Sequence, residues 1–144
     1  METQNYANHR RYVPLYHGVL FFLLIITFVG SLVNLYLSFG DHQRVYSASL
    51  ITVLTFCGLI QFWYSRTFAT RVQDRAIRAE ENLRHFAMTG KLFEPKLRMG
   101  QIIALRFASD EEFLVLAKRA VEEQLSREDI KKVIKNWRAD HHRA

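Results

Sequence analysis

The chain of 144 residues contains a single cysteine, Cys57, together with only two prolines and six glycines. One cysteine forms no intramolecular disulfide and has no companion for a cysteine-based metal site. Cys57 lies inside an apolar run, so we interpret it as a small apolar residue packed between helices. Because helix breakers are so scarce, the sequence predicts long uninterrupted helices and an all-α fold.

Charged side chains are absent from two stretches, residues 19–39 and 45–64. About 20 apolar residues in a helix cross the roughly 30 Å of hydrocarbon in a bilayer. We therefore expect two membrane helices, at residues 14–39 and 47–65, joined by an outer loop at residues 40–46. So short a loop requires an antiparallel hairpin. The absence of ionisable side chains from both stretches weighs against an ion-coupled transporter.

Signatures of catalysis and of cofactor binding are also missing. Serine and histidine residues are scattered, and Gly90-Lys91 lacks the rest of a phosphate-binding loop. Asp140, His141 and His142 are adjacent residues near a chain end, which do not form a closed metal site. We therefore expect no enzymatic activity, no cofactor and no bound metal.

Polar and small residues recur along both apolar stretches at helical steps of three or four. In a bilayer, small residues allow helices to approach closely and polar side chains form hydrogen bonds between them. We expect these residues to join the two membrane helices. An interface between copies of the chain and a wet pore lining are the alternatives that the pattern leaves open. The positions are Thr27, Ser31, Asn34, Ser38, Thr52, Thr55, Gly58 and Gln61.

The second membrane helix is predicted to continue into the cytosol over residues 66–88, because neither Pro nor Gly interrupts it. The whole helix would then be about 60 Å long. A narrow apolar seam with heptad-like spacing runs along this charged extension. Such a seam fits packing against another helix, supplied by the protein's own tail or by a second copy. The seam consists of Phe68, Val72, Ala79, Leu83 and Phe86.

Residues 89–144 form the tail, for which the apolar periodicity predicts three short helices at about residues 98–108, 110–124 and 127–139. A capping box is predicted where the second helix begins, at Ser109. Ser126 is predicted to cap the third helix, with Leu125 and Ile130 as a hydrophobic staple. The third helix carries a basic face, which we expect to contact anionic lipid headgroups or a protein partner. A DNA-binding helix-turn-helix fits less well, because the turn lacks glycine and the preceding helix is acidic at both ends. The basic face consists of Lys131, Lys132, Lys135 and Arg138.

The net charge is +6, and basic residues lie before the first apolar stretch and after the second. The loop between the stretches contains only Arg44. Cytoplasmic flanks of membrane helices are enriched in Lys and Arg, so both termini are predicted to be cytoplasmic, including the N-terminal segment 1–13. The flanking residues are Arg10, Arg11, Arg66, Arg71 and Arg75.

Three blocks resemble a bacterial family of unknown function: RVQDRAIRAEENLRHF (71–86), QIIALRFASDEEF (101–113) and KNWRADHHR (135–143). Its members are small two-span inner-membrane proteins with a helical cytosolic tail, sometimes labelled ABC transporter permease. The resemblance implies the bacterial inner membrane and supplies no catalytic residues. Two spans without a substrate pathway do not fit the permease label.

We therefore expect a non-enzymatic membrane protein that acts by assembly, with copies of itself or within a larger membrane complex. A homo-oligomeric channel or transport-system component is the main alternative. A membrane-tethered nucleic-acid-binding regulator is the weaker one, since acidic residues are interspersed among the basic ones throughout the tail.

Overall fold

The computed structural model describes residues 4–9 and 12–140. Within these residues it contains five α-helices and no strand, and Ala108 and Trp137 form an isolated antiparallel bridge. The predicted all-α class is therefore confirmed. In chain order the elements are a π-helical segment Pro14–Leu20, α1 (Phe21–Leu37), α2 (His42–Thr89), α3 (Met99–Leu105), α4 (Asp110–Glu122) and α5 (Arg127–Val133).

The chain divides into two compact units. One is Tyr12–Phe68, here called the apolar unit, and the other combines Met1–Arg11 with Ala69–Ala144, here called the tail unit. The helix α1 lies wholly in the apolar unit, and α3, α4 and α5 lie wholly in the tail unit. The helix α2 contributes its residues up to Phe68 to the apolar unit and its later residues to the tail unit.

The start of α2 corrects the predicted loop 40–46. The helix begins at His42 rather than at residue 47, because Asp41 caps it. One carboxylate oxygen of Asp41 accepts hydrogen bonds from the backbone N–H groups of Gln43 and Arg44, at 3.1 and 3.2 Å. An acceptor at this position satisfies N–H groups that have no partner within the helix, and its negative charge favours the helix N-terminus.

Two helices are long and apolar enough to cross a membrane. They are the continuous helix Pro14–Leu37, of 24 residues, and α2, of 48 residues. Only 6% of the most apolar window of either helix is buried within the structure. A core helix of a soluble protein differs in this respect, because it buries its apolar face against its neighbours. Cys57 is also exposed, so the prediction that it packs between helices is wrong.

The tail unit has a hydrophobic core in which α3 packs against α4 and α5. The residues of α3 from Gln101 to Leu105 are buried, because α3 lies at the centre of this core. The left-handed Gly90, with φ of 72°, follows the last residue of α2 and ends that helix. The largest fully buried apolar side chains are Phe107, Phe113, Ile102, Leu105 and Ile130.

The two predicted helix caps have different outcomes. At the start of α5, the Ser126 hydroxyl accepts from the backbone N–H of Asp129 at 3.2 Å, and the Asp129 carboxylate accepts from the backbone N–H of Ser126 at 3.3 Å. The predicted cap at Ser126 is confirmed, and it takes the form of a capping box. The Ser109 side chain makes no such bond. Glu112, its expected partner, instead accepts from the backbone N–H groups at 135 and 136, so the box at Ser109 is wrong.

The last helix is shorter than predicted, ending at Val133 instead of residue 139. Ile134 takes an extended conformation, and the chain then runs beside the end of α3. There the backbone N–H of Arg138 donates to the Phe107 carbonyl at 2.8 Å. The Trp137 ring packs on the Phe107 ring with centroids 5.1 Å apart. Packing of this aromatic pair replaces the final turns of helix that the periodicity predicted.

Candidate interaction surfaces

Polar and small residues of α1 and α2 meet inside the apolar unit. The hydroxyl groups of Ser31 and Thr55 lie 3.1 Å apart, and the Thr52 hydroxyl donates to the Ser31 carbonyl at 3.2 Å. A Cβ atom on Gly58 would come within 3.3 Å of the Leu24 side chain, so glycine permits the close approach. Four of the eight predicted interface positions are therefore placed between the two helices.

The other four predicted interface positions do not link α1 to α2. The Ser38 hydroxyl donates to the Asn34 carbonyl and the Thr27 hydroxyl to the Leu23 carbonyl, each at 2.7 Å and within α1. The side chains of Asn34 and Gln61 are exposed. Neither carboxamide makes a hydrogen bond to any residue that the structure describes. A partner from outside the apolar unit could satisfy these two amides.

A further contact within the apolar unit was missed by sequence reasoning. The Tyr16 ring stacks on the Phe62 ring with centroids 4.4 Å apart and planes 14° apart. The Tyr16 hydroxyl donates to the Phe62 carbonyl and lies 3.1 Å from the Ser65 hydroxyl. The available signal was an aromatic residue near the N-terminal end of the first apolar stretch and another near the C-terminal end of the second.

Most of the predicted seam lies exposed on α2. Within the tail unit, Val72 is 68% exposed, Leu83 is 67% exposed and Phe86 is 49% exposed, and Ala79 is also exposed. Phe68, which belongs to the apolar unit, is exposed as well. The seam is thus an apolar surface that no described residue covers.

The tail packs on the opposite face of α2 from this seam. Ile77 and Glu81 are buried, and the Arg84 side chain lies largely buried against residues of the tail. At about 100° per residue, these three positions share one side of the helix, and Ala79, Leu83 and Phe86 lie about 130–170° away. The protein's own tail therefore does not cover the seam. Of the two sources of a packing helix that the sequence left open, a second chain remains.

Arg84 joins the end of α2 to the tail. Its guanidinium donates to the Asp110 carboxylate, to the Ala108 carbonyl at 2.8 Å and to the Glu81 carboxylate at 3.1 Å. It also lies over the Phe113 ring, 4.1 Å from the centroid. The charge of Arg84 lowers the pKa of Asp110 through a hydrogen bond, whereas burial raises the pKa of Glu81 above 4.5 despite Arg84.

The predicted basic face is smaller than the sequence indicated. Lys131 is only 2% exposed, and its ammonium lies 3.0 Å from Nε2 of His9 and 3.2 Å from the Glu128 carboxylate. The prediction that Lys131 contacts lipid or a partner is therefore wrong. Its ammonium binds these groups inside the tail unit instead. Lys132, Lys135 and Arg138 are exposed, as expected for a contact surface.

The partner of Lys131 belongs to an N-terminal segment that docks on the tail. His9 is buried, with its ring 5.9 Å from the Trp137 ring. The Tyr6 hydroxyl donates to Glu128 at 3.3 Å, and the Gln4 carboxamide accepts from the backbone N–H of Asp140 at 2.8 Å. Sequence reasoning missed this docking, for which aromatic rings at residues 6 and 9 of a polar segment were the only signal.

No group of three potential metal ligands lies together in residues 4–9 and 12–140. Of the sequence Asp140-His141-His142, both histidines lie outside the described residues. Asp140 instead pairs with the Arg106 guanidinium at 3.2 Å. Arg10 and Arg11, which entered the charge argument for orientation, also lie outside the described residues.

Comparison with known proteins adds a family and no activity. No curated protein and no solved structure matches the chain. The model of a family of unknown function, DUF6526, matches residues 1–144. Since this match covers the whole length, the chain is a member of the family of unknown function DUF6526.

Proposed function

We propose that this protein is a non-enzymatic integral protein of the bacterial cytoplasmic membrane that acts as a self-associating scaffold or as an accessory subunit of a membrane assembly. Residues of α1 and of the first part of α2 form a transmembrane hairpin. Both termini and the tail unit lie in the cytoplasm. The single observation that carries the proposal is the exposed apolar seam of α2 (Val72, Ala79, Leu83 and Phe86), which faces away from the protein's own tail.

Membrane insertion is supported by the surface of the apolar unit. Large apolar side chains of both helices are exposed, and water is a poor solvent for a continuous surface of this kind. Backbone groups inside a bilayer must be satisfied within the segment, which an α-helix achieves. Contacts from Tyr16–Phe62 at one end to Ser31–Thr55 further along the helices support antiparallel packing of α1 and α2.

Self-association is supported by two independent features. In the apolar unit, the exposed amides of Asn34 and Gln61 find no partner among the described residues, and hydrogen bonds between helices are the usual means of satisfying such groups in a bilayer. In the tail unit, the exposed seam has the spacing of helix–helix packing in water. A second copy of the chain supplies both a matching amide and a matching seam.

The experiment measures the association of the purified full-length protein in mild detergent by light scattering. We expect an oligomer. Asn34→Leu should weaken association by about 0.6–2 kcal/mol, the range found for hydrogen bonds between membrane helices. Leu83→Glu combined with Phe86→Glu should weaken it further, since each carboxylate would have to be buried in the interface.

A matched control adds two carboxylates elsewhere on the tail unit, as Val115→Glu with Val133→Glu, where both side chains are exposed. This variant should associate like the wild type. A wild-type monomer in several mild detergents would refute self-association and leave the accessory-subunit role. Ion flux through liposomes containing the protein, altered by Asn34→Leu, would instead favour the channel.

A further inference from the structure

The tail unit contains a cavity of about 800 Å³ beside the end of α2. The connection between α2 and α3 forms one wall, and α4 forms the other. Ligand-binding cavities typically measure about 300–1,000 Å³ and have mainly apolar walls with few polar groups. Of the fourteen lining residues here, eight are polar or charged and six are apolar, namely Leu92, Phe93, Leu97, Leu114, Ala117 and Val121.

Hydrogen bonds hold the walls of this cavity in place. Near the start of the connection, the Lys91 carbonyl lies 2.7 Å from Nδ1 of His85 and accepts from the Thr89 hydroxyl at 3.1 Å. Further along, the backbone N–H of Phe93 donates to the Asn82 side chain at 3.1 Å. The cavity is therefore preformed, so a ligand would not have to order the connection when it binds.

A smaller cavity of about 360 Å³ adjoins the first, because Lys96, Val121 and Gln124 line both. Gln124 has a φ of 50°, a left-handed conformation that costs free energy for a residue other than glycine. The Arg98 guanidinium donates to the Gln124 carbonyl at 3.2 Å and helps to hold it there. Backbone strain is thus maintained where the two cavities meet.

The charges around the two cavities favour an anion. Three lysines, Lys91, Lys96 and Lys118, and two glutamates, Glu94 and Glu122, line the larger cavity, and Arg98 lines the smaller one with Lys96, so the lining is net positive. Lys118 is paired with a carboxylate of α4 at 3.8 Å. Lys91 and Lys96 make no ion pair with any residue in the described ranges. Lys96 therefore places an ammonium without an ion-pair partner at the junction of the two cavities.

We propose that these cavities bind a single-chain anionic amphiphile of the fatty acid type. Its acyl chain lies against the apolar lining, and its carboxylate lies at Lys96. An amphipathic peptide helix fits less well, because a helix is about 10 Å across with its side chains and rises 5.4 Å per turn. Two turns of such a helix already fill about 800 Å³, whereas an extended acyl chain is slender enough to lie in the larger cavity with its carboxylate at the junction.

The test uses the full-length protein in nanodiscs of zwitterionic lipid, with a palmitic acid that carries a photoreactive diazirine on its chain. Peptide mass spectrometry then locates the covalent adducts. We expect adducts on residues 91–97 and 114–121 in addition to any on the membrane helices. Ala117→Trp fills the larger cavity and should reduce the adducts on the tail about fivefold or more, equivalent to about 1 kcal/mol of binding free energy.

Val115→Trp is the matched control, because Val115 lies on the same helix, is exposed and does not line the cavity. It should leave the adducts unchanged. Lys91→Glu with Lys96→Glu changes only exposed side chains, so this variant separates loss of binding from misfolding, and it should also reduce the adducts. The corresponding photoreactive fatty alcohol should label the tail less than the acid.

Labelling confined to the membrane helices, or tail adducts that persist in both the Ala117→Trp and the lysine variants, would overturn the proposal. Equal labelling by the alcohol would overturn the assignment of an anionic ligand. Protection of the cavity by a peptide that copurifies with the protein would show that a protein segment occupies it instead. None of these outcomes bears on self-association, which is measured separately.

Discussion

Replacing Lys131 by Met tests whether this ammonium is a structural group inside the tail unit. Lys131 lies 3.0 Å from His9 and 3.2 Å from Glu128, and almost none of it is exposed. Met retains the length and apolar body of the side chain and removes the ammonium with its hydrogen bonds. The ring of His9 then stays buried without this partner, whereas Glu128, on the exposed side, can turn to water.

The expected cost follows from these two bonds. A hydrogen bond to a charged group contributes about 1.5–3 kcal/mol, and leaving a buried acceptor without its donor adds its desolvation penalty. Solvent screens the bond to Glu128, whose side chain is 45% exposed, so we discount that contribution. Removing the buried charge offsets part of the loss. We therefore expect the tail unit to lose about 2 kcal/mol of unfolding free energy, which lowers its Tm by about 8–16 °C.

Trp137 provides the assay, because its ring packs on Phe107 and lies near His9. In a Trp63→Phe background, the fluorescence of Trp137 during heating reports the unfolding of the tail unit of the full-length protein. Lys132→Met is the matched control, since Lys132 is exposed on the same helix, and its Tm should stay within about 4 °C of the wild type. Equal Tm values for the two variants would refute the structural role of the Lys131 ammonium. Lys131 would then belong to the exposed basic face, as the sequence predicted.

Two further predictions concern Glu81 and the orientation of the chain. Burial raises the pKa of Glu81 above 4.5. As the pH rises from 4.5 to the folded-state pKa, the carboxyl ionises more readily in the unfolded state, so the wild type loses stability. Glu81→Gln cannot ionise, so the Tm of this variant minus the Tm of the wild type should increase from about pH 4 to about pH 7. A difference that stays constant with pH would contradict this. In a Cys57→Ser background, His42→Cys should react with an impermeant maleimide in intact cells and Leu92→Cys only after lysis. The reverse pattern would contradict the proposed orientation.

The features that were predictable from the sequence depend on local patterns. The two long apolar helices follow from uncharged stretches without breakers, and the end of α2 follows from Gly90. The cap at Ser126 was recognisable because both of its partners lie within four residues. The same local reasoning gave the spacing of the seam, whose residues Val72, Leu83 and Phe86 lie exposed on α2.

The features that sequence reasoning missed depend on contacts between distant residues. The periodicity that placed Lys131 on a basic face assumed a helix to residue 139, whereas α5 ends at Val133. Burial of Lys131 comes from His9, which lies 122 residues earlier in the chain. Likewise, Glu112 binds the backbone at 135 and 136 instead of capping its own helix. No helical period carries information about pairings of this kind.

The docking of the N-terminal segment also bears on the number of membrane crossings. Gln4, Tyr6 and His9 contact the tail within one compact unit, so the segment and the tail must lie on the same side of any membrane. The chain between them must then cross an even number of times. The two candidate spans, Pro14–Leu37 and the apolar part of α2, satisfy this condition together, whereas either one alone would not. For a membrane-spanning chain, this parity favours two crossings over one, and it does so independently of the charge distribution, because it does not involve Arg10 or Arg11.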